Sequence, residues 1–503
     1  MGHKIRLPEG IKYKKVLFAA GIGSLFLSVV FFVVFCEGGN VTQIFPTWND
    51  EGGYYRQLAA MVQYGHPLGY NGYNGNHAEL GNFGFHGMFI LFPYYLWAKI
   101  FGLSYMTISA CNIFMIVLAI LIFSMCVEGD IWKYIAFAGC ILTPMVVYYT
   151  ATSMVEAENY FFSILLAGFL LRLYRKRDRR ILIVAWAVIV FAVLCKVTWA
   201  GMVFPFAFIS QKKERNIIFK IINSVLCMTI FMVAGYLIFS RFSSPYLTSI
   251  LADYLTVMRQ EGIWETFIYI IKNTIQNLGL TFAAVNTPDY ALWFKVSALI
   301  VWLTFIFSII SILYSVRKKD IVFFWPGFIM VGYMGGVALM YTGGPVAIRT
   351  LYPAVLLCLL LLSDLYAKKK CAVIIGGGFL ALTLSIGILK RYDSREFYDQ
   401  KNQEYVQRIC DFYKDLLIVQ ETGDEWENTV AMYTGDMPNF YYAMLYPAGM
   451  ANNLYDHIPD NTEKFPMYAL AVSADGDWYN FLMENGYREI GTNEEVILMA
   501  DFE

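Results

Sequence analysis

The chain has 503 residues, of which 58% are apolar and 15% charged, with a mean hydropathy of +0.51. A soluble fold of this length could not hide so much apolar surface, because its outer shell must face water. The net charge of -1 gives no field that would draw nucleic acid. Composition therefore excludes a soluble enzyme, a coiled coil and a disordered chain. Apolar runs of about 20 residues between short basic clusters predict a multi-span membrane protein.

The segment MGHKIRLPEGIKYKK precedes an apolar run from Val16 to Cys36. That run is long enough to span, and EGGN is a poor small-residue cleavage site, so an uncleaved first helix is expected. Basic clusters at Lys12–Lys15, Arg172–Arg180, Lys212–Lys220, Arg317–Lys319 and Lys368–Lys370 are assigned to the cytoplasmic side. Parity then requires that block 86–101, short and interrupted by Pro93, lies at the interface without crossing. Spans are expected at 16–36, 104–127, 131–150 and 157–173, followed by a two-helix hairpin over 181–210 that turns outside near Lys196–Gly201. Further spans follow at 216–240, 291–316, 321–341, 350–366 and 371–389, with 37–85 and 241–290 as external loops. The total is about 11 spans with the N-terminus inside.

Composition changes abruptly after Lys390. A polar helix over 395–420, strands in WENTVAMYT, YALAVS and EEVILMADF, and a helix DWYNFLMENG ended by Gly486 predict a small α/β module. The expected organisation is a membrane domain over 1–390, which includes the first external loop with its interfacial helices (37–103), and an extracytoplasmic domain over 391–503. The fold class is thus an all-α polytopic membrane protein with a small C-terminal α/β domain.

The nine cysteines are scattered singly, mostly inside apolar runs, with no metal or disulfide spacing. His66, His77 and His86 share the first loop but match no ligand pattern, and GYNGYNGN at 69–76 reads as a turn-rich loop able to stack on sugar.

Four segments carry groups suited to chemistry. The first loop holds Asp50, Glu51, Tyr54 and Arg56, where paired carboxylates beside aromatics suit general-base or metal work, and where Asp50 would equally serve as a helix N-cap with Glu51 favourable near the dipole. Glu156 and Glu158 open the 157–173 helix, where an intramembrane carboxylate is costly unless solvated, paired or functional. Lys196 interrupts the uncharged hairpin, facing either an anion or, by snorkelling, the surface. Last comes TGGPVAIRTLYP, in which Arg349 offers a fixed multi-donor cation suited to phosphate, or a headgroup anchor beside Tyr352.

Taken together, Asp50-Glu51-x-x-Tyr54 after the first helix, an acidic residue about 105 positions on, a hairpin lysine and an external R-x-x-YP resemble the GT-C glycosyltransferases. The nearest branch contains the protein O-mannosyltransferases and the lipid A aminoarabinose transferases. The resemblance runs over about 16–390, while FGFHGMF departs from that branch's usual Lys-Pro-Pro stretch.

The resemblance implies transfer of a sugar from a polyprenyl-phosphate-linked donor to an acceptor lipid, protein or wall glycan at the outer face of a membrane, bacterial by the simple topology. It implies Asp50 as general base, Glu51 as its support, Glu156 or Glu158 as the second acidic residue, and Lys196 and Arg349 on the phosphate with Tyr54 and Tyr352 nearby. No nucleotide is needed and no cofactor is fixed; a divalent metal is compatible with the set. Rival readings are a transporter or flippase of a lipid-linked or anionic substrate, a polysaccharide polymerase or ligase, and a membrane scaffold.

Overall fold

A computed structural model of the chain describes residues 9–36, 49–67, 71–75, 88–128, 130–212, 214–242, 250–288, 290–340, 344–366, 369–391, 400–420, 426–435, 446–460, 465–493 and 496–501. The apolar runs are helical, as the lack of water to satisfy a bare backbone in a bilayer demands. In chain order come α1 (Glu9–Cys36), α2 (Asn49–Tyr64), the strand β1 (Asn71–Tyr73), α3 (Phe92–Phe101) and α4 (Thr107–Cys126). Next are α5 (Ile131–Ile141), α6 (Pro144–Thr150), α7 (Glu156–Arg175), α8 (Arg179–Cys195), a 3-10 turn over Val197–Met202 and α9 (Val203–Ser210). Then follow α10 (Ile217–Phe242), α11 (Ile250–Gln260), α12 (Ile263–Ala283), α13 (Leu292–Lys318), α14 (Phe324–Met340), α15 (Pro345–Tyr366) and α16 (Lys369–Arg391).

Every expected span coincides with helix. Seven helices among the described residues are long and apolar enough to cross a membrane, or up to eight with α5 and α6 taken as one bent span. The rest fall short for visible reasons: α7 carries Glu156, Glu158, Arg172 and Arg175, and the 181–210 hairpin is split at Lys196. The α5–α6 pair bends by 61° where Thr143 is extended ahead of Pro144, the conformation a following proline imposes. Helix α3 has only 10 residues, with Pro93 in its first turn, which suits a segment that does not cross.

One end of the bundle gathers the basic clusters. Arg172 and Lys176 pair with Glu128, Lys133 and Arg175 with Asp364, and the Tyr174 hydroxyl donates to Asp320. The start of α5 and the ends of α4, α7 and α15 therefore meet there. Where α5 crosses α16 the backbones nearly touch: a Cβ on Gly139 would lie 2.5 Å from the Gly376 Cα.

Helix α12 has three faces. Thr266, Asn277 and Thr281 are buried, and Asn277 donates to the Ala338 carbonyl. Trp264, Phe267, Ile271 and Ile275 form an exposed apolar stripe, and Glu265, Lys272 and Gln276 an exposed polar one.

The C-terminal part contains α17 (Gln400–Leu416), β2 (Thr429–Tyr433), β3 (Ala451–Tyr455), β4 (Tyr468–Ala471), α18 (Asp477–Glu484), β5 (Arg488–Thr492) and β6 (Ile497–Ala500). The sheet order is β1-β3-β2-β4-β6-β5, parallel from β1 to β4 and antiparallel where β6 meets β4 and β5. Alternation along the strands sorts two cores: Val430 and Met432 face the α17 side with Ile409 and Tyr413, and Ala431 faces the α18 side with Trp478 and Leu482. Gly486 ends α18 at φ +94°, as its position predicted. One feature was not expected. The edge strand β1 comes from the first loop, Gly72 pairing with Asn453, so the sheet is completed by residues assigned to the membrane domain.

Candidate functional site

At the end opposite the basic clusters, three helix starts and one helix break converge. Asp50 and Glu51 occupy the first turn of α2, Glu156 the first turn of α7, Arg349 the first turns of α15, and Lys196 the break between α8 and the 3-10 turn. The Arg349 guanidinium bridges two of them: Nη1 lies 2.8 Å from Asp50 Oδ2 and Nε 3.0 Å from Glu156 Oε1. Asp50 and Arg349 are 22% and 24% exposed, whereas Glu156 is at 7%, so the pair opens outward from Asp50 and Glu156 forms its floor. Lys196, half-buried, has Glu156 and Arg349 among its charged neighbours. Tyr149 hydrogen-bonds Arg349, and Tyr54 lies within its electrostatic reach.

Local structure explains why these groups meet. The α5–α6 bend returns the chain so that the turn before α7 reaches α2, where the Ser153 amide donates to Glu51 Oε1 at 2.7 Å. Glu51 is 1% exposed and is thus held against the turn, while its neighbour Asp50 faces Arg349. Lys196 is set by contacts on both sides of the hairpin break. The Cys195 thiol donates to Glu158 Oε1, and the Trp199 indole donates to Asn159 Oδ1. Ser163 donates to the Pro353 carbonyl and ties α7 to the helix bearing Arg349.

No protein-family model matches the chain, and no curated protein matches it by sequence. Its fold is similar to solved structures of ArnT from Cupriavidus metallidurans. With the structure bound to undecaprenyl phosphate it shares 11% identity over 96% of this chain and 97% of that one, at a TM-score of 0.49. With the apo structure it shares 12% over 96% and 98%, at 0.43.

The geometry separates the sequence-derived residues into groups. Asp50, Tyr54, Glu156, Lys196 and Arg349 come together. Glu51 supports from beneath. Glu158, two positions after Glu156, points to the opposite side of α7 and meets the hairpin instead. Tyr352 is fully buried in the bundle, edge-on to Tyr160. His66 is exposed beside the Tyr64 carbonyl, and His77 and His86 lie outside the described residues. Among the described residues no group of three or more His, Cys, Asp or Glu could hold a metal ion. Tyr149 and Ser153 were missed by sequence reasoning, although both flank the acidic segment that it singled out.

Chemically, the cluster offers a half-exposed carboxylate, two cations within reach of one locus, and a buried floor that lowers the local dielectric. Such a set can take a proton from a hydroxyl and stabilise an anion growing beside it.

Proposed function

We propose that the protein is a membrane glycosyltransferase that moves a sugar from a polyprenyl-phosphate-linked donor to an acceptor hydroxyl, the cluster facing the outer side. One observation carries this reading: Arg349 joins Asp50 to Glu156 with Lys196 adjacent, so a base and two phosphate-binding cations share one locus at the bundle end away from the basic clusters. The residue pattern shared with GT-C enzymes supports the same chemistry.

In the proposed step Asp50 accepts the acceptor hydroxyl proton and the oxygen attacks the anomeric carbon. The bond from that carbon to the phosphate oxygen breaks, and its electron pair leaves with the polyprenyl phosphate. Attack opposite the leaving group inverts the anomeric centre. Arg349 and Lys196 take up the charge that grows on the phosphate, a kind of contribution worth about 2.7–4 kcal/mol where a single donor has been removed elsewhere. Glu156 fixes the Arg349 guanidinium plane and Glu51 fixes the first turn of α2, so Asp50 meets the acceptor in one orientation.

The test is transfer from radiolabelled polyprenyl-phosphate sugars in membranes holding the wild type or Asp50→Asn. The substitution keeps shape and removes the base, so transfer should fall by about 10²–10⁴-fold while donor binding persists. Equal transfer by the two proteins would overturn Asp50 as base. The bent α5–α6 pair would also suit a transporter. Movement of labelled lipid across vesicles without any transfer would favour that reading.

A further inference from the structure

The C-terminal domain packs against α2, the helix that carries Asp50 and Glu51. Six residues beyond Asp50, Arg56 is 1% exposed; its Nη2 donates to Asn452 Oδ1 at 3.1 Å, and its Cζ lies 5.6 Å from the centre of the Tyr446 ring. Asn452, the second residue of β3, is itself 1% exposed, and Tyr446 packs edge-on to Tyr413 of α17. Two further contacts hold the same helix. Tyr64 at its last turn donates to the Ala448 carbonyl. The Tyr55 ring packs at a tilt against Tyr105, whose hydroxyl is 2.8 Å from the Cys410 sulfur on α17. Downstream, β1 is paired into the sheet.

We propose that the C-terminal domain is a clamp that sets the position of Asp50, with Arg56 and Asn452 as positioning residues; this rests on the function proposed above. Mere adhesion would not require a guanidinium. Burying one is costly unless it is paired and hydrogen-bonded, and an apolar side chain of similar volume would pack as well or better. A directional hydrogen bond under an aromatic face does what apolar packing cannot: it fixes both the rotation of α2 about its axis and its slide along it. Rotation decides whether Asp50 or Glu51 faces Arg349, because neighbouring residues on a helix point about 100° apart. The helix is then held between the two domains: Tyr54, Leu58 and Met61 pack into the membrane-domain core and Arg349 and Ser153 hold its first turn, while Arg56 and Tyr64 tie it to the C-terminal domain.

The test uses the full-length protein in membranes that supply acceptor, with donor concentration varied, for Arg56→Met, Arg56→Lys, Asn452→Ala and the Arg56→Met/Asn452→Ala double variant. Misplacing a reacting group by about 1 Å costs on the order of 10²-fold, so kcat per folded molecule should fall by about 10–100-fold in Arg56→Met and Asn452→Ala with donor KM almost unchanged. Arg56→Lys, whose ammonium can still donate to Asn452 beside the Tyr446 ring, should recover most of the rate, and the double variant should be no worse than the poorer single one. Amide hydrogen exchange over 49–64 should quicken while 107–126 stays protected. Wild-type kcat in folded Arg56→Met would overturn the clamp, as would failure of Arg56→Lys to recover the rate, or independent, additive losses. If the wild type transfers no sugar, the functional reading fails instead. Exchange then decides alone: quickening confined to 49–64 supports the clamp, and unchanged exchange refutes it.

Discussion

Glu156 and Glu158 stand two residues apart with the same chemistry, yet their surroundings assign them different work. Glu156 reaches Arg349 and Glu158 reaches Cys195. Removing the charge from Glu156 withdraws a charge-assisted hydrogen bond worth about 1.5–3 kcal/mol. If its task is to orient the phosphate-binding cation, Glu156→Gln should lower kcat about 10–100-fold. Glu158→Gln leaves a side chain that still accepts from the thiol, so its transfer rate should stay within about threefold of wild type. Steady-state transfer by the two variants, each normalised to folded protein, checks the contrast; the reverse order would move the second acidic role to Glu158. The sequence alone could not choose between them, because helical phase separates their directions and only the neighbours in space say which direction holds the arginine.

At the scale of elements, proline and glycine make the shape of the bundle. Pro144 breaks α5 from α6 and so turns Ser153 and Glu156 toward α2. Gly139 lets α5 reach the backbone of α16 at a distance where any side chain collides. Gly139→Ala should therefore lose at least about 1–3 kcal/mol by overpacking, read as a lower melting temperature in detergent. Gly279→Ala, which meets open space, should lose no more than a few tenths of that amount and serves as the control. Helix α12 lies within 241–290, where the sequence predicts an external loop. Its buried, apolar and polar faces are those expected of a helix that lies along a membrane interface. A photoreactive phenylalanine at position 267 or 271 should cross-link to phospholipid in vesicles, and one at position 276 should not. Equal labelling at all three positions would refute that placement.

For the whole molecule, the two ends of the bundle differ in kind. One collects arginine, lysine and their carboxylate partners, Glu128 half-exposed and Asp364 buried. The other joins Asp50, Glu156 and Arg349 beneath the sheet domain. If the basic end faces the cytoplasm, Cys371, exposed at the start of α16, should react with an impermeant maleimide only after cells are opened. Cys410 at the opposite end should react poorly from either side, because burial pushes its thiol up and leaves little thiolate at neutral pH. Labelling of Cys371 in intact cells would invert the assigned orientation.

The sequence by itself determined the membrane class, the approximate spans, the presence of a C-terminal α/β module and the short roll of charged residues worth attention. These follow from transfer free energy and local backbone chemistry, which depend on composition and spacing within a few turns. Only tertiary structure decided that Arg349 bridges Asp50 and Glu156, that Glu158 belongs to the hairpin, that β1 completes a distant sheet and that Arg56 is buried against Asn452. Arg349 and Asp50 are 299 residues apart and Arg56 and Asn452 are 396 apart. Such pairings are selected by which helix faces pack together, and no periodicity along the chain encodes that choice.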